Sequence, residues 1–124
     1  MIGIVLAAAL ASSTSRFDLI CTGMQHHEPG GAMMPWSARM RVDLVAKTYC
    51  GDDGACKGPS PIAEVGPAAI MFRDYTGPQL QDLTYVSRST GEFSSSARFG
   101  DGSADVIKGN CKRAAFSGMP KTKF

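Results

Sequence analysis

From Phe17 onward, apolar residues alternate with polar ones or gather in short runs rich in β-branched and aromatic side chains, with Gly, Pro and Asp clusters between the runs. That pattern predicts short antiparallel strands. No window beyond the amino-terminal run keeps apolar residues at three-and-four spacing over three turns, so little helix is expected in the rest of the chain.

The runs resolve one by one. Phe17 to Gly23 reads as a first strand, and Gln25 to Pro35, punctuated by Pro29, Gly30, Gly31 and Pro35, as a loop. Ala38 to Tyr49 is the clearest strand, with Met40, Val42, Leu44 and Ala46 on one face and Arg41, Asp43, Val45 and Lys47 on the other. Cys50 to Pro61 reads as a stapled turn, and Pro61 to Asp74 as two short strands or one strand kinked at Gly66-Pro67. Pro78 to Asp82 is expected as loop. Leu83 to Arg88 and Glu92 to Phe99 flank Ser89-Thr90-Gly91, which suggests a hairpin, and Gly100-Asp101-Gly102 makes the next turn. Ser103 to Phe116 closes the sheet. The simplest assembly is an all-β meander of about six strands curled into a partly or fully closed small barrel.

The amino terminus follows a different rule. Ile2 to Leu10 is uncharged and apolar, then come Ala9-Leu10-Ala11 and a run of small hydroxyl residues from Ser12, a secretory leader pattern with cleavage expected after Ala11. An apolar run this short does not span a bilayer of about 30 Å as a helix, so no stable membrane span is expected. No Lys or Arg precedes Ile2, a departure that an upstream start would repair; the other reading of the run is a buried first strand. The expected organisation is a signal segment over 1–11, an all-β domain over 12–117 and a flexible tail over 118–124.

Composition sharpens this in two ways. The chain has 124 residues, the length of one domain, and a net charge of +2 with 19% charged residues, no footprint for nucleic acid. Its basic cluster, Lys108, Lys112, Arg113, Lys121 and Lys123, lies near the carboxyl end; contact with an anionic surface is one reading, and a solvated strand face and a frayed tail account for it equally well. The four cysteines suit an exported chain and allow three pairings. Cys21 with Cys111 and Cys50 with Cys56 is the favoured set, because the first pair lies in the first and last strand-like segments and the second brackets a Gly/Asp turn. A bonded Cys21 and Cys111 would make the terminal strands neighbours.

The spacing Phe17-Asp18-Leu19-x-Cys21-x-Gly23, Arg41-x-Asp43-Leu44 with Cys50 and Cys56, Arg88-x-Thr90-Gly91-Glu92-Phe93 and Gly109-x-Cys111 resembles that of small exported alphaproteobacterial proteins of unknown function. The resemblance implies a two-disulfide, β-rich domain. It implies no activity and carries no catalytic residue over to this chain.

Candidate chemistry gathers in one segment. Residues 24–36 hold Met24, His26, His27, Met33, Met34 and the single tryptophan, Trp36. Thioether and imidazole groups suit Cu(I), so a periplasmic copper-binding module using those five Met and His residues is one reading, although no fixed ligand spacing is met. No Gly-x-Ser-x-Gly elbow, paired carboxylates, nucleotide fingerprint or zinc-finger spacing is present, and a small hydrolase is the weakest reading. The expectation is a non-catalytic envelope domain, periplasmic or secreted, that needs no cofactor and binds a protein, a peptide or a small ligand.

Overall fold

The computed structural model describes residues 15–51, 56 and 58–119. The expected leader, the Asp52–Ala55 turn and the last five residues of the expected tail lie outside them. Among the described residues there is no helix, and nine antiparallel strands form one sheet: β1 (Arg16–Glu28), β2 (Met34–Asp43), β3 (Thr48–Cys50), β4 (Ser60–Pro61), β5 (Glu64–Val65), β6 (Ala69–Thr76), β7 (Leu80–Ser87), β8 (Glu92–Phe99) and β9 (Ala104–Ala114).

The strand order is β4-β3-β2-β1-β9-β8-β7-β6-β5. Every neighbouring pair but one is consecutive in the chain; the exception, β1 with β9, joins the two ends of the meander. The two edge strands, β4 and β5, are themselves consecutive, separated only by Ile62 and Ala63. Ile62 N–H donates to the Lys47 carbonyl on one side (2.9 Å) and Ala63 N–H to the Phe72 carbonyl on the other (3.4 Å). The sheet curls far enough that Tyr49 of β3 and Phe72 of β6 meet, ring centroids 4.9 Å apart.

Alternation decides which side chains line the inside of the curl. Phe17, Leu19 and Cys21 of β1 face inward with Met40 and Val42 of β2, Tyr49, Ile62, Ile70, Phe72, Val86, Phe93 and Cys111, and these make the core. Cys21 and Cys111 are direct cross-strand partners and are disulfide-bonded inside it. Two residues along the same face, Gly23 and Gly109 are also direct partners. A Cβ on either would collide with backbone of the facing strand, so this β1–β9 approach admits glycine only. Cys50 and Cys56 form the second bridge, across the β3–β4 connection.

Four expectations need correction. The loop over Gln25 to Pro35 is mostly strand: β1 continues to Glu28 because Gln25 to Glu28 pair with Ala104 to Ile107 of β9, and only residues 29–33 turn. Backbone pairing, blind to side-chain polarity, overrides the Gly/Pro signal there. The strand over Ala38 to Tyr49 is broken after Asp43, whose Oδ1 accepts from the Val45 and Ala46 N–H groups, both at 3.0 Å, and so caps a turn that ends at left-handed Lys47. The loop over Pro78 to Asp82 shrinks, since β7 begins at Leu80. The strand count rises from about six to nine because β3, β4 and β5 are too short to show alternation.

Beyond β9 the chain returns across the outer face of β1 and β2. Ser117 N–H donates to Asp18 Oδ1 (3.1 Å), Arg41 Nη1 donates to the Gly118 carbonyl (3.1 Å), and Met119 Sδ lies 3.6 Å from Cys50 Sγ. Gly118 and Met119, read as the start of a flexible tail, are therefore attached to the sheet.

Candidate functional site

The inward face changes character halfway along the strands. Strands β3, β4 and β5 pair only near one end of their neighbours, Arg41 to Asp43 in β2 and Ile70 to Met71 in β6, and there the interior is apolar. Toward the other end, cross-strand register puts Gln25 beside Met34 and Ile107, Ile107 beside Ser95, and Ser95 beside Thr84. The next inward row is His27, Asp105, Ala97, Asp82 and Tyr75. The result is an open trough in which polar and charged side chains are interspersed with Met34, Ile107, Ala97 and Tyr75.

Trp36 marks the boundary. Its ring stacks on Phe93 of the core, centroids 4.9 Å apart, and beyond it begin the hydroxyls. Thr84 Oγ1 and Ser95 Oγ are hydrogen-bonded at 2.9 Å. A bulge in β6 between Met71 and Arg73 turns Arg73 inward after Phe72, opposite Thr84. Its guanidinium donates to Tyr49 Oη (3.2 Å) and to Asp82 Oδ2 (3.2 Å), and these contacts, the tyrosine first, hold the Arg73 pKa above its ordinary value. Trp36, Tyr49, Arg73, Thr84 and Ser95 enclose a recess of about 160 Å³. A wider hollow of about 550 Å³ lies at the β1–β2 turn, and Gln25, His26, His27, Met34, Asp105 and Ile107 are among the residues that line it.

The rim of this end is apolar and exposed. Met33 (56% exposed), Met34 (57%), Tyr75 (55%) and Phe99 (39%) all stand there. A tight turn positions the last two: Gly77 N–H donates to the Leu80 carbonyl, and Leu80 pairs with Phe99.

Of the residues proposed as a copper set, His26, His27 and Met34 border the hollow at the β1–β2 turn, but their side chains are not directed at one point. Consecutive residues of a strand point to opposite faces, so His26 turns outward to Glu28 (Nε2 to Oε1, 3.1 Å) and His27 inward to Asp105 (Nδ1 to Oδ1, 2.7 Å). Met24 shares the outer face with His26, Met34 the inner face with His27, and Met33 lies in the turn. No group of three His, Cys, Asp or Glu side chains among the described residues could hold a metal ion. The His27–Asp105 pair has the form of an oriented base, but no Ser, Thr or Cys among the described residues is bonded to His27. The basic cluster also divides: Lys108 donates to Ser94 on the outer face (2.7 Å), while Arg113 turns inward over the Phe17 ring.

Sequence reasoning identified part of this trough, His27, Met34 and Trp36, as a group, and missed its far wall. Arg73, Asp82, Thr84 and Ser95 carry no recognisable spacing; only the strand register and the β6 bulge bring them together. Compared with family models, curated proteins and solved structures, the chain finds no match.

Proposed function

We propose that this is an exported, non-catalytic binding domain that takes a segment of a protein or peptide partner into the open end of its curled sheet. The observation that carries this reading is the rim: Met33, Met34, Tyr75 and Phe99 are exposed at the end of a trough of mixed polarity that contains Arg73. Tyr, Met, Trp and Arg are the residue types that anchor protein interfaces, and apolar anchors around satisfied polar groups are the usual anatomy of one. Two disulfides support the exported setting, because such bonds persist in oxidising compartments.

The test is site-specific photo-crosslinking in the natively exported protein, with benzoyl-phenylalanine placed at Met34, at Tyr75 or, as an outer-face control, at Lys112. Adducts of one discrete mass from Met34 and Tyr75, with none from Lys112, are expected. Adducts from Lys112 alone, or no position-dependent adduct, would count against the open end as the binding surface.

A further inference from the structure

The curled sheet leaves two strand edges open, and both border the same slot. Between β2 and β6 the closed end of the curl holds β3 and then the segment from Ser60 to Val65, which pairs with β3 through β4 and with β6 through β5. β3 reaches only Arg41 to Asp43 of β2, and β5 only Ile70 and Met71 of β6. Beyond those pairs, no strand among the described residues lies against Met34 to Met40 on this side of β2, or against Arg73 to Thr76 on this side of β6. Exposure changes at the same points. Pro35, Ser37 and Arg39 are exposed where Met40, Val42 and Asp43 are buried, and Arg73, Asp74, Tyr75 and Thr76 are exposed in succession after buried Phe72.

The register decides which backbone groups point into this slot. In an antiparallel ladder a residue directs both its N–H and its C=O to one neighbouring strand, and the next residue directs both to the other. Leu44 N–H donates to the Ser15 carbonyl (2.8 Å), on the register that pairs β1 with β2, so the even-numbered residues of β2 bond to β1. The middle of the sheet agrees: Cys111 N–H donates to the Gly91 carbonyl on the β8 side (2.8 Å), which leaves its partner Cys21 to bond to Ala38 of β2. The odd-numbered residues of β2 turn the other way. Arg41 and Asp43 meet β3, Ser37 and Arg39 direct N–H and C=O into the slot, and Pro35 directs its C=O alone. On β6, Gly77 N–H donates to the Leu80 carbonyl (2.8 Å), which sets Arg73 and Tyr75 toward β7 and the main-chain groups of Asp74 and Thr76 into the slot.

The two open ladders stand over the recess of about 160 Å³, which Ala38 and Met40 border from β2 and Phe72 and Arg73 from β6. A row of N–H and C=O groups at strand spacing is complementary to another extended backbone, and strand addition to an open edge is a recurring way for a sheet to hold a peptide. At the closed end two strand positions separate β2 from β6, so the slot has room for an extended segment. A second copy of this chain fits the edge less well. Pairing β2 with itself about Ser37 would lay Pro35, which has no N–H, opposite Arg39 at both ends of the ladder.

We infer that an extended segment of the protein partner joins the sheet as an added strand along β2, its main chain bonded to the N–H and C=O groups of Ser37 and Arg39 and its inward side chains over the recess beside Trp36 and Arg73. This rests on the reading of the open end as a site for a protein or peptide segment, and it specifies how that segment is held. Main-chain bonds supply affinity, and the alternate side chains that enter the recess supply the choice of partner.

Peptides of about ten residues, the upper length of an ordinary strand, selected from a displayed random library on the disulfide-bonded protein and then synthesised, serve as probes. A bound peptide is expected to slow amide hydrogen exchange at Ser37 and Arg39 by about tenfold or more, with little change at Ala38 and Met40, whose N–H groups already bond to β1. N-methylation of the peptide should abolish binding at alternate positions only, because only alternate N–H groups face β2. Ser37→Pro should weaken binding about tenfold. The sheet tolerates that change, since the Ser37 N–H does not bond to β1 and Pro35 already holds the equivalent position two residues earlier. If Ser37→Pro does not fold, exchange and N-methylation with the parent protein decide the matter. The proposal is overturned if no peptide is enriched, if a bound peptide leaves Ser37 and Arg39 exchanging as before, if N-methylation shows no alternation, or if folded Ser37→Pro binds as the parent does. Protection of the same amides that rises with protein concentration and needs no peptide would also overturn it and assign the edge to a second copy. Crosslinks from Met34 and Tyr75 without protection at Ser37 and Arg39 would remove strand addition alone, whereas protection without those crosslinks would support it and remove the trough reading.

Discussion

Asp18 is the residue whose environment departs most from what its neighbours in sequence suggest. It is on the outer face, yet none of its surface meets solvent. Burial pushes its carboxyl pKa up, but hydrogen bonds from the Ser117 side chain and backbone and from Arg39 Nε, at 2.6 Å, outweigh that and hold it below the ordinary aspartate value. Asp43 is lowered likewise, with burial opposed by the Ala46 N–H, Arg16 and the Val45 N–H. A carboxylate with a depressed folded-state pKa contributes stability that is complete above the unfolded value and is lost as pH falls through the folded one. Urea midpoints should therefore decline below about pH 4. Asp18→Asn should cost about 2 kcal/mol at neutral pH and make that decline shallower. An unchanged pH profile in Asp18→Asn would show that the buried carboxylate is not the titrating group. In the sequence Asp18 is one polar position between Phe17 and Leu19; the partner that buries it lies 99 residues away, beyond the reach of any local pattern.

At the scale of elements, alternation revealed strands wherever one face is apolar, as at Met40 and Val42, and failed where both faces are polar, as in Gln25 to Glu28. Those four residues are strand because β9 pairs with them, a non-local fact. The same blindness hid half the candidate site, since the β6 bulge that turns Arg73 inward has no signature in its own segment. Cysteine placement was more informative: the first and last strands carry a pair, and the structure joins them as direct register partners. Sequence separations of 90 and 6 give the two bridges different weights. On the chain-entropy model the long loop stabilises by about 4.6 kcal/mol and the short one by about 2.2 kcal/mol. A double Ala variant of Cys21 and Cys111 should lose about twice the stability lost by the same change at Cys50 and Cys56, read by urea unfolding. Equal losses would mean that the β1–β9 pairing holds without its bridge.

The whole molecule is a meander bent until its ends meet, with its first and last strands side by side in the middle of the sheet and its two edges adjacent in the chain. This arrangement makes the two ends of the curl different. Where the short strands β3, β4 and β5 lie, the curl is lined by core; where they stop, the longer strands run on and leave an open trough of mixed polarity with an apolar rim. All-β class and curl were legible from strand lengths and turn residues, whereas the two ends were not, because they depend on which short strand stops where.

Export of a domain whose terminal strands are bonded together is the claim on which the rest stands, and intact mass of the natively exported protein tests it directly. With and without reduction and alkylation, and with a peptide map, the mass should be that of the chain lacking residues 1–11 and four hydrogens, with Cys21 linked to Cys111 and Cys50 to Cys56. A full-length chain carrying four free thiols would contradict both the export and the oxidised, strand-closing bridge.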